Sequence, residues 1–169
     1  MIAKLSKQIQ KIQLGVGVIC ISIFFISIVI QVFCRYAGVM VTWTGEVSKY
    51  AFTWSVFMGA GVMAYENKHF AFTSVLDKLD GKKKTVLKIF LAIIVLLFSM
   101  EILYYGTVIS KKFWNYRWIS IPEMKMGYTW LCVPILGFTS TIYSIDHIIG
   151  HIKKLTSSKA NNLEAREVK

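Results

Sequence analysis

The chain has 169 residues, of which 55% are hydrophobic, and a formal net charge of +11. Its mean hydropathy is +0.53, and its apolar residues fall into blocks of about twenty, which excludes a soluble globular domain and indicates an integral membrane protein. The basic residues lie between these blocks, where they set membrane orientation and meet acidic phospholipid headgroups, so no nucleic-acid partner is expected.

A short amphipathic helix is predicted over residues 1–13. Its isoleucine and leucine side chains fall on one side of the helix and its lysines on the other. This pattern is typical of a helix that lies in the headgroup layer. The residues expected to contact lipid headgroups are Lys4, Lys7 and Lys11.

Four apolar segments follow within residues 14–150, at about 14–33, 46–65, 85–105 and 128–149. Each is about as long as a helix that crosses the hydrocarbon core. The predicted fold class is therefore an all-α membrane protein with four transmembrane helices, preceded by the N-terminal amphipathic interfacial helix. Pro134 lies inside the fourth segment and removes one backbone donor, which predicts a kink there.

Basic residues are unevenly distributed between the two sides of such a bundle. Most of the 20 lie in the N-terminal segment, in the connection after the second span and in the polar tail, residues 151–169. The positive-inside rule then places both termini in the cytoplasm. The tail shows no periodic pattern, and we expect it to be frayed beyond about Leu155.

Small residues recur at every fourth position of the second span, at Ala51, Ser55 and Gly59. This spacing places them on one helix face, where two helix backbones can approach closely in lipid. The helix that packs there belongs either to this chain or to a partner, and the sequence leaves both open.

Two charged residues flank the loop between the first and second spans. Glu46 lies in the first turn of the second span, where a carboxylate complements the positive end of a helix, and Lys49 and Tyr50 share its face. Glu46 has either a local partner or a contact with another subunit. Arg35 either anchors the membrane interface or pairs with Glu46 across the loop.

Other polar residues do not form a recognisable active site. Glu101 lies in the third apolar block, four or five residues from its end, and a carboxylate in lipid is costly. His147 and His151 have the spacing of two metal ligands but lack a third, and His69 lies outside the apolar blocks. No cofactor, metal or enzymatic activity is therefore predicted.

Four segments in order carry a family resemblance: VFCRY at Val32–Tyr36, TWTGEVSKYAFTWSVFMGA at Thr42–Ala60, KHF at Lys68–Phe70 and YTWLCVPILGF at Tyr128–Phe138. Together they resemble the small, DctQ-like membrane subunit of tripartite ATP-independent periplasmic (TRAP) transporters. The chain departs from the family pattern where paired acids become Gly45-Glu46 and an arginine becomes Lys49.

The resemblance implies a multi-pass protein of the bacterial inner membrane that is a scaffold for a large TRAP membrane subunit. A periplasmic substrate-binding protein would deliver an organic acid, such as a C4-dicarboxylate or sialic acid, for sodium-coupled uptake. The residues expected to contact the large subunit are Trp43, Glu46, Lys49, Tyr50, Ala51, Trp54, Ser55 and Gly59. Structural or interfacial charges are expected at Arg35, His69 and Glu101, and docking of the binding protein at Trp114, Arg117 and Trp118.

Two other functions compete with this interpretation. A self-contained small exporter would use Glu101 as its coupling acid. A four-helix membrane redox subunit would hold haem, quinone or metal.

Overall fold

A computed structural model describes residues 2–66 and 81–167, with side chains described over 3–66 and 84–153. These ranges contain five α-helices: α1 (Ile2–Tyr36), α2 (Trp43–Glu66), α3 (Gly81–Lys112), α4 (Met126–Trp130) and α5 (Cys132–Glu167). Within them the one β-type pairing is an isolated bridge between Arg117 and Lys125. The prediction of a helical chain is therefore confirmed for the described residues.

Three stretches of the described chain are long and apolar enough to cross a membrane, namely Ala3–Tyr36, Lys84–Lys112 and Met126–Lys153. The predicted second span, now α2, is 24 residues long but is not among them. Its helix begins with the polar sequence that contains Glu46 and Lys49, which lowers its hydropathy. The prediction of four spans is thus supported for three of them.

Both terminal helices are longer than the sequence pattern indicates. Residues 2–36 form one helix of about 52 Å with no break at residue 13, so the interfacial position of residues 1–13 stays a prediction. At the other terminus α5 continues to Glu167, which corrects the prediction of a frayed tail beyond Leu155. Alanine, leucine and glutamate after residue 159 are strong helix formers, which favours continuation of the helix.

The helices pack as two pairs joined by α5. Helix α1 packs along α2, α3 packs along α5, and α5 also contacts both α1 and α2. The connections 37–42 and 113–125 lie at one end of the bundle, which we call the loop end. The start of α1 and the end of α5 lie at the opposite end.

Two glycines allow α3 and α5 to approach closely. A Cβ atom added at Gly137 would lie 2.5 Å from the backbone nitrogen of Leu103, and one at Gly106 would lie 2.9 Å from the nitrogen of Pro134. Real Cβ atoms do not tolerate such distances, so neither position has room for a side chain. This close backbone packing is the arrangement that small residues permit between helices in lipid.

Pro134 lies in the first turn of α5, just after the helix of the fourth span is interrupted, which agrees with the predicted disturbance of the helix at this proline. The interruption falls at Leu131, between α4 and α5. Because proline has no N–H, the carbonyl of Trp130 loses its helical donor, and the Ser110 hydroxyl of α3 donates to it instead at 3.1 Å. A backbone group left unsatisfied by the sequence is therefore satisfied by a neighbouring helix.

We expect Gly137→Ala to destabilise the bundle and Gly150→Ala to leave its stability nearly unchanged. Both glycines lie on α5, but a Cβ at Gly150 would meet nothing within 4 Å. Forcing a methyl group against the backbone of α3 costs about 1–3 kcal/mol. Thermal unfolding of the two purified variants in detergent measures the difference, and equal midpoints would contradict the close contact.

Candidate functional site

A buried carboxylate ties the start of α2 to the connection 113–125. Glu46 is 8% exposed, and its two carboxylate oxygens accept the backbone N–H groups of Ile119 at 3.0 Å and Ser120 at 2.7 Å. The Ser120 hydroxyl donates in turn to the carbonyl of Thr42, at 3.3 Å. We call this arrangement the Glu46 clamp. A carboxylate is suited to the first turn of a helix, and its burial is compensated because both oxygens are bonded.

The connection is folded so that two successive N–H groups point at Glu46. The N–H of Trp118 donates to the carbonyl of Met124 at 3.0 Å, and the N–H of Met126 donates to that of Tyr116 at 2.7 Å. The guanidinium of Arg117 closes the turn by donating to the carbonyl of Pro122 at 2.7 Å. These three hydrogen bonds therefore fix the conformation of the connection around Ile119 and Ser120.

Aromatic side chains pack below the clamp. The rings of Tyr50 and Trp118 lie 4.5 Å apart, and the Trp118 indole N–H donates to the Thr129 hydroxyl at 3.2 Å. The Trp54 indole N–H donates to the carbonyl of Tyr128, also at 3.2 Å. These contacts join α2, the connection and α4 into one aromatic cluster at the loop end.

Trp118 is only 9% exposed and its indole N–H is bonded inside the chain, so it is the least accessible of the three predicted docking residues. Trp114 is 36% exposed and lies against Gly127, where any Cβ would collide with its ring. Arg117 is exposed. Docking of a binding protein thus stays a prediction for all three residues.

The small-residue face of α2 is covered in part by this chain's own α1. A Cβ at Gly17 of α1 would lie 3.3 Å from the Cβ of Met58 and 3.9 Å from the carbonyl oxygen of Ser55. Ser55 and Ala51 are half-buried, whereas Gly59 is exposed. Of the remaining α2 residues predicted to contact a partner, Trp43 and Lys49 are exposed at the loop end. Contact with a partner stays a prediction for this face.

The predicted charges are not brought together. Arg35 is exposed at the end of α1 and does not pair with Glu46, whose oxygens are occupied by the loop. The Lys49 ammonium lies 5.2 Å from the centre of the Tyr50 ring. Glu101 is exposed on α3, and His69 lies outside the described residues. The three lysines of the N-terminal segment, Lys4, Lys7 and Lys11, are exposed.

A second buried polar cluster, which sequence reasoning missed, joins α1 to α5. The Gln13 amide is 3% exposed; its nitrogen donates to the Thr139 hydroxyl at 2.9 Å, and its oxygen accepts from the Tyr143 hydroxyl at 2.8 Å. We call these three residues the Gln13 network. On α2, Gly61 makes room for the amide, because any Cβ there would overlap it.

The Gln13 network extends to α2 through an aromatic contact. The rings of Tyr65 and Tyr143 meet edge to face at 5.3 Å, and Nε2 of His147 lies 2.9 Å from the carbonyl oxygen of Tyr65. That carbonyl can only accept, so His147 donates through Nε2. In the sequence Gln13 was one of three glutamines beside an apolar block, after Gln8 and Gln10, and that pattern does not identify its partners.

Comparison with known proteins shows to which family the chain is related. The model of the DctQ component of tripartite ATP-independent periplasmic transporters matches residues 24–154, which include the last part of α1, the whole of α2, α3 and α4, and most of α5. The chain belongs to the DctQ family. The resemblance expected from the sequence motifs is therefore confirmed.

A relative from Haemophilus influenzae, named as a TRAP transporter small permease protein, is 27% identical over 141 residues. The match covers 80% of this chain and 86% of the relative. In this DctQ-family chain the Glu46 clamp and most of the Gln13 network lie within the region matched by the family model, whereas Gln13 itself precedes it.

We expect Glu46→Gln to loosen the connection 113–125. A glutamine has one acceptor oxygen where the carboxylate has two, so one of the N–H groups of Ile119 and Ser120 loses its partner. An unsatisfied buried donor costs about 1–3 kcal/mol. Hydrogen exchange of the peptide spanning the connection should rise. Glu123→Gln, on an exposed carboxylate of the same loop, is the matched control and should leave the exchange unchanged.

A double-mutant cycle tests the Gln13 network. Gln13→Leu and Tyr143→Phe should each lower thermal stability, and the double variant should lose less than the sum because both remove the same bond. Hydrogen bonds between helices in membranes contribute about 0.6–2 kcal/mol, which sets the expected coupling energy. Strict additivity of the two losses would show that the bond contributes nothing.

Proposed function

We propose that this chain is the small permease subunit of a TRAP transporter and acts as a scaffold for the large membrane subunit that moves the substrate. The observation that carries the proposal is the family match over residues 24–154. The relative whose name contains "small permease protein" supports it over 80% of this chain.

The internal contacts support a rigid supporting role. The Glu46 clamp fixes the loop end, the Gln13 network fixes α1 to α5, and Gly106 and Gly137 hold α3 against α5. Each of these contacts depends on complementary geometry, so a large movement of one helix against another would break several at once. A scaffold requires such rigidity, whereas a substrate-carrying domain must move.

In this proposal the chain has four membrane spans with both termini in the cytoplasm. Helix α2, at 24 residues, is about 36 Å long and can cross the hydrocarbon core when its polar face is covered by α1, α4 and α5. The loop end then faces the periplasm, where exposed Trp114 and Arg117 are available to a docking binding protein.

The cargo is proposed to be an organic acid, of the C4-dicarboxylate or sialic acid type, taken up with sodium. Support for this part comes from the family resemblance alone. The substrate and ion sites would belong to the large subunit, because the buried polar groups of this chain's two clusters are already occupied by one another.

Reconstitution of the chain with the large subunit tests the scaffold function. We expect the two to co-purify, and vesicles that contain both to take up the acid when binding protein and a sodium gradient are supplied. Vesicles with either membrane subunit alone are the controls and should show no uptake. Uptake by this chain alone would favour a self-contained transporter, and failure to co-purify would reject the proposal.

A further inference from the structure

Glu101 lies close to the middle of Lys84–Lys112, the stretch of α3 that is long and apolar enough to cross a membrane. It is ten residues before Lys111, or about 15 Å along the helix, and 13 after Lys88. Its neighbour Leu103 packs on Gly137, close to the middle of the span Met126–Lys153. The carboxylate is therefore deeper than the sequence indicated, because α3 continues to Lys112 and not to about Tyr105.

The Glu101 side chain is exposed and points away from the bundle. Over the part of the chain whose side chains the structure describes, it has no ion pair or hydrogen bond. The residues one and two turns before it and one turn after it on the same face are large, apolar or aromatic, and at least 47% exposed: Ile94, Leu97, Phe98, Tyr104 and Tyr105. We call this surface the Glu101 face.

A bare carboxylate in hydrocarbon costs several kcal/mol, and intramembrane acids almost always face a donor. This chain supplies none at that position among its described residues. We propose that the Glu101 face is the surface on which a membrane-spanning helix of the large TRAP subunit packs, with a basic side chain opposite the carboxylate. This inference rests on the proposed function, since it names the contact surface of that same partner.

Charge decides between the large subunit and a second copy of this chain. In a membrane dimer with its two-fold axis along the membrane normal, both Glu101 side chains would meet at the same depth on one interface. Like charges in a low-dielectric interface repel, so the face disfavours its own copy. A partner with a cation at this depth turns the same carboxylate into an attractive contact.

The shape next to the face supports a protein occupant. A groove of about 450 Å³ runs between α3 and α5, and Tyr104, Val108 and Thr141 are among the residues that line it. Tyr104 and Val108 follow Glu101 on the same side of α3, at three and seven positions. A large apolar side chain of the partner helix can insert there while its neighbour reaches the carboxylate.

The exposed face of α1 provides a contrast. The sequence from Leu14 to Phe33 carries no charged residue, and Val18 and Phe25 are 54% and 66% exposed. Such a surface is suited to lipid chains, which require no hydrogen-bond donor. The exposed face of α3 therefore carries a charge and that of α1 does not, and lipid chains cannot satisfy a charge whereas a polar partner can.

Site-specific photo-crosslinking in the co-expressed complex locates the interface. A photoreactive residue at Leu97 or Tyr104 should give an adduct of this 19.3 kDa chain with the large subunit. The same residue at Phe25 of α1 is the matched control and should give no protein adduct. An adduct of two copies of this chain, or adducts with lipid only from Leu97 and Tyr104, would overturn the inference.

Substitution of the carboxylate tests its pairing. Glu101→Leu should reduce the large subunit that co-purifies by about tenfold or more, because a buried cation on the partner would lose its counter-charge. The thermal midpoint of the chain by itself should not fall, since no contact within the described bundle is removed. The control Phe25→Leu should leave co-purification unchanged.

The outcomes separate this inference from the proposed function. If the wild-type chain does not co-purify with the large subunit, both are rejected. If it does co-purify but the adducts form from Phe25, or Glu101→Leu has no effect on association, the function stands and the Glu101 face is wrong as the interface.

Discussion

A carboxylate taken out of water must be bonded, and this constraint organises the loop end of the chain. Glu46 satisfies it by accepting two backbone N–H groups from a connection more than 70 residues away. The bond does two things at once: it makes the buried charge tolerable and it fixes a loop of 13 residues on the start of α2. The aromatic cluster of Tyr50, Trp54 and Trp118 packs against the part of the connection that these bonds position.

The same constraint explains the other end of the core. Gln13, Thr139 and Tyr143 are polar groups on helices that are otherwise apolar, and each is paired within the chain. Gly61 provides the space that brings the Gln13 amide within reach of α5. In lipid these bonds contribute only modestly to stability, but they permit only one register of α1 against α5. Their main consequence is therefore a defined and rigid arrangement.

Glu101 is the exception that links structure to assembly. The buried carboxylate of Glu46 and the buried amide of Gln13 are both hydrogen-bonded within the chain. The carboxylate of Glu101, by contrast, lies on an exposed apolar face. A scaffold for a larger membrane protein needs a surface that is stable in the complex and unsuited to lipid. Under the proposed function, the Glu101 face meets that requirement and the uncharged face of α1 does not, which is why we propose that opposite edges of the bundle contact partner and lipid.

The sequence by itself determined the apolar helices, the family and the position of Glu46 at a helix start, because these depend on local composition and on motifs in order. Only the tertiary structure decided where polar side chains find partners. Gln13 and Tyr143 are 130 residues apart, and Trp118 was indistinguishable from an exposed interfacial tryptophan until its indole was seen to bond Thr129. Helical periodicity shows which face a side chain occupies, but the neighbour of that face depends on how α5 joins the two helix pairs, which no local pattern encodes.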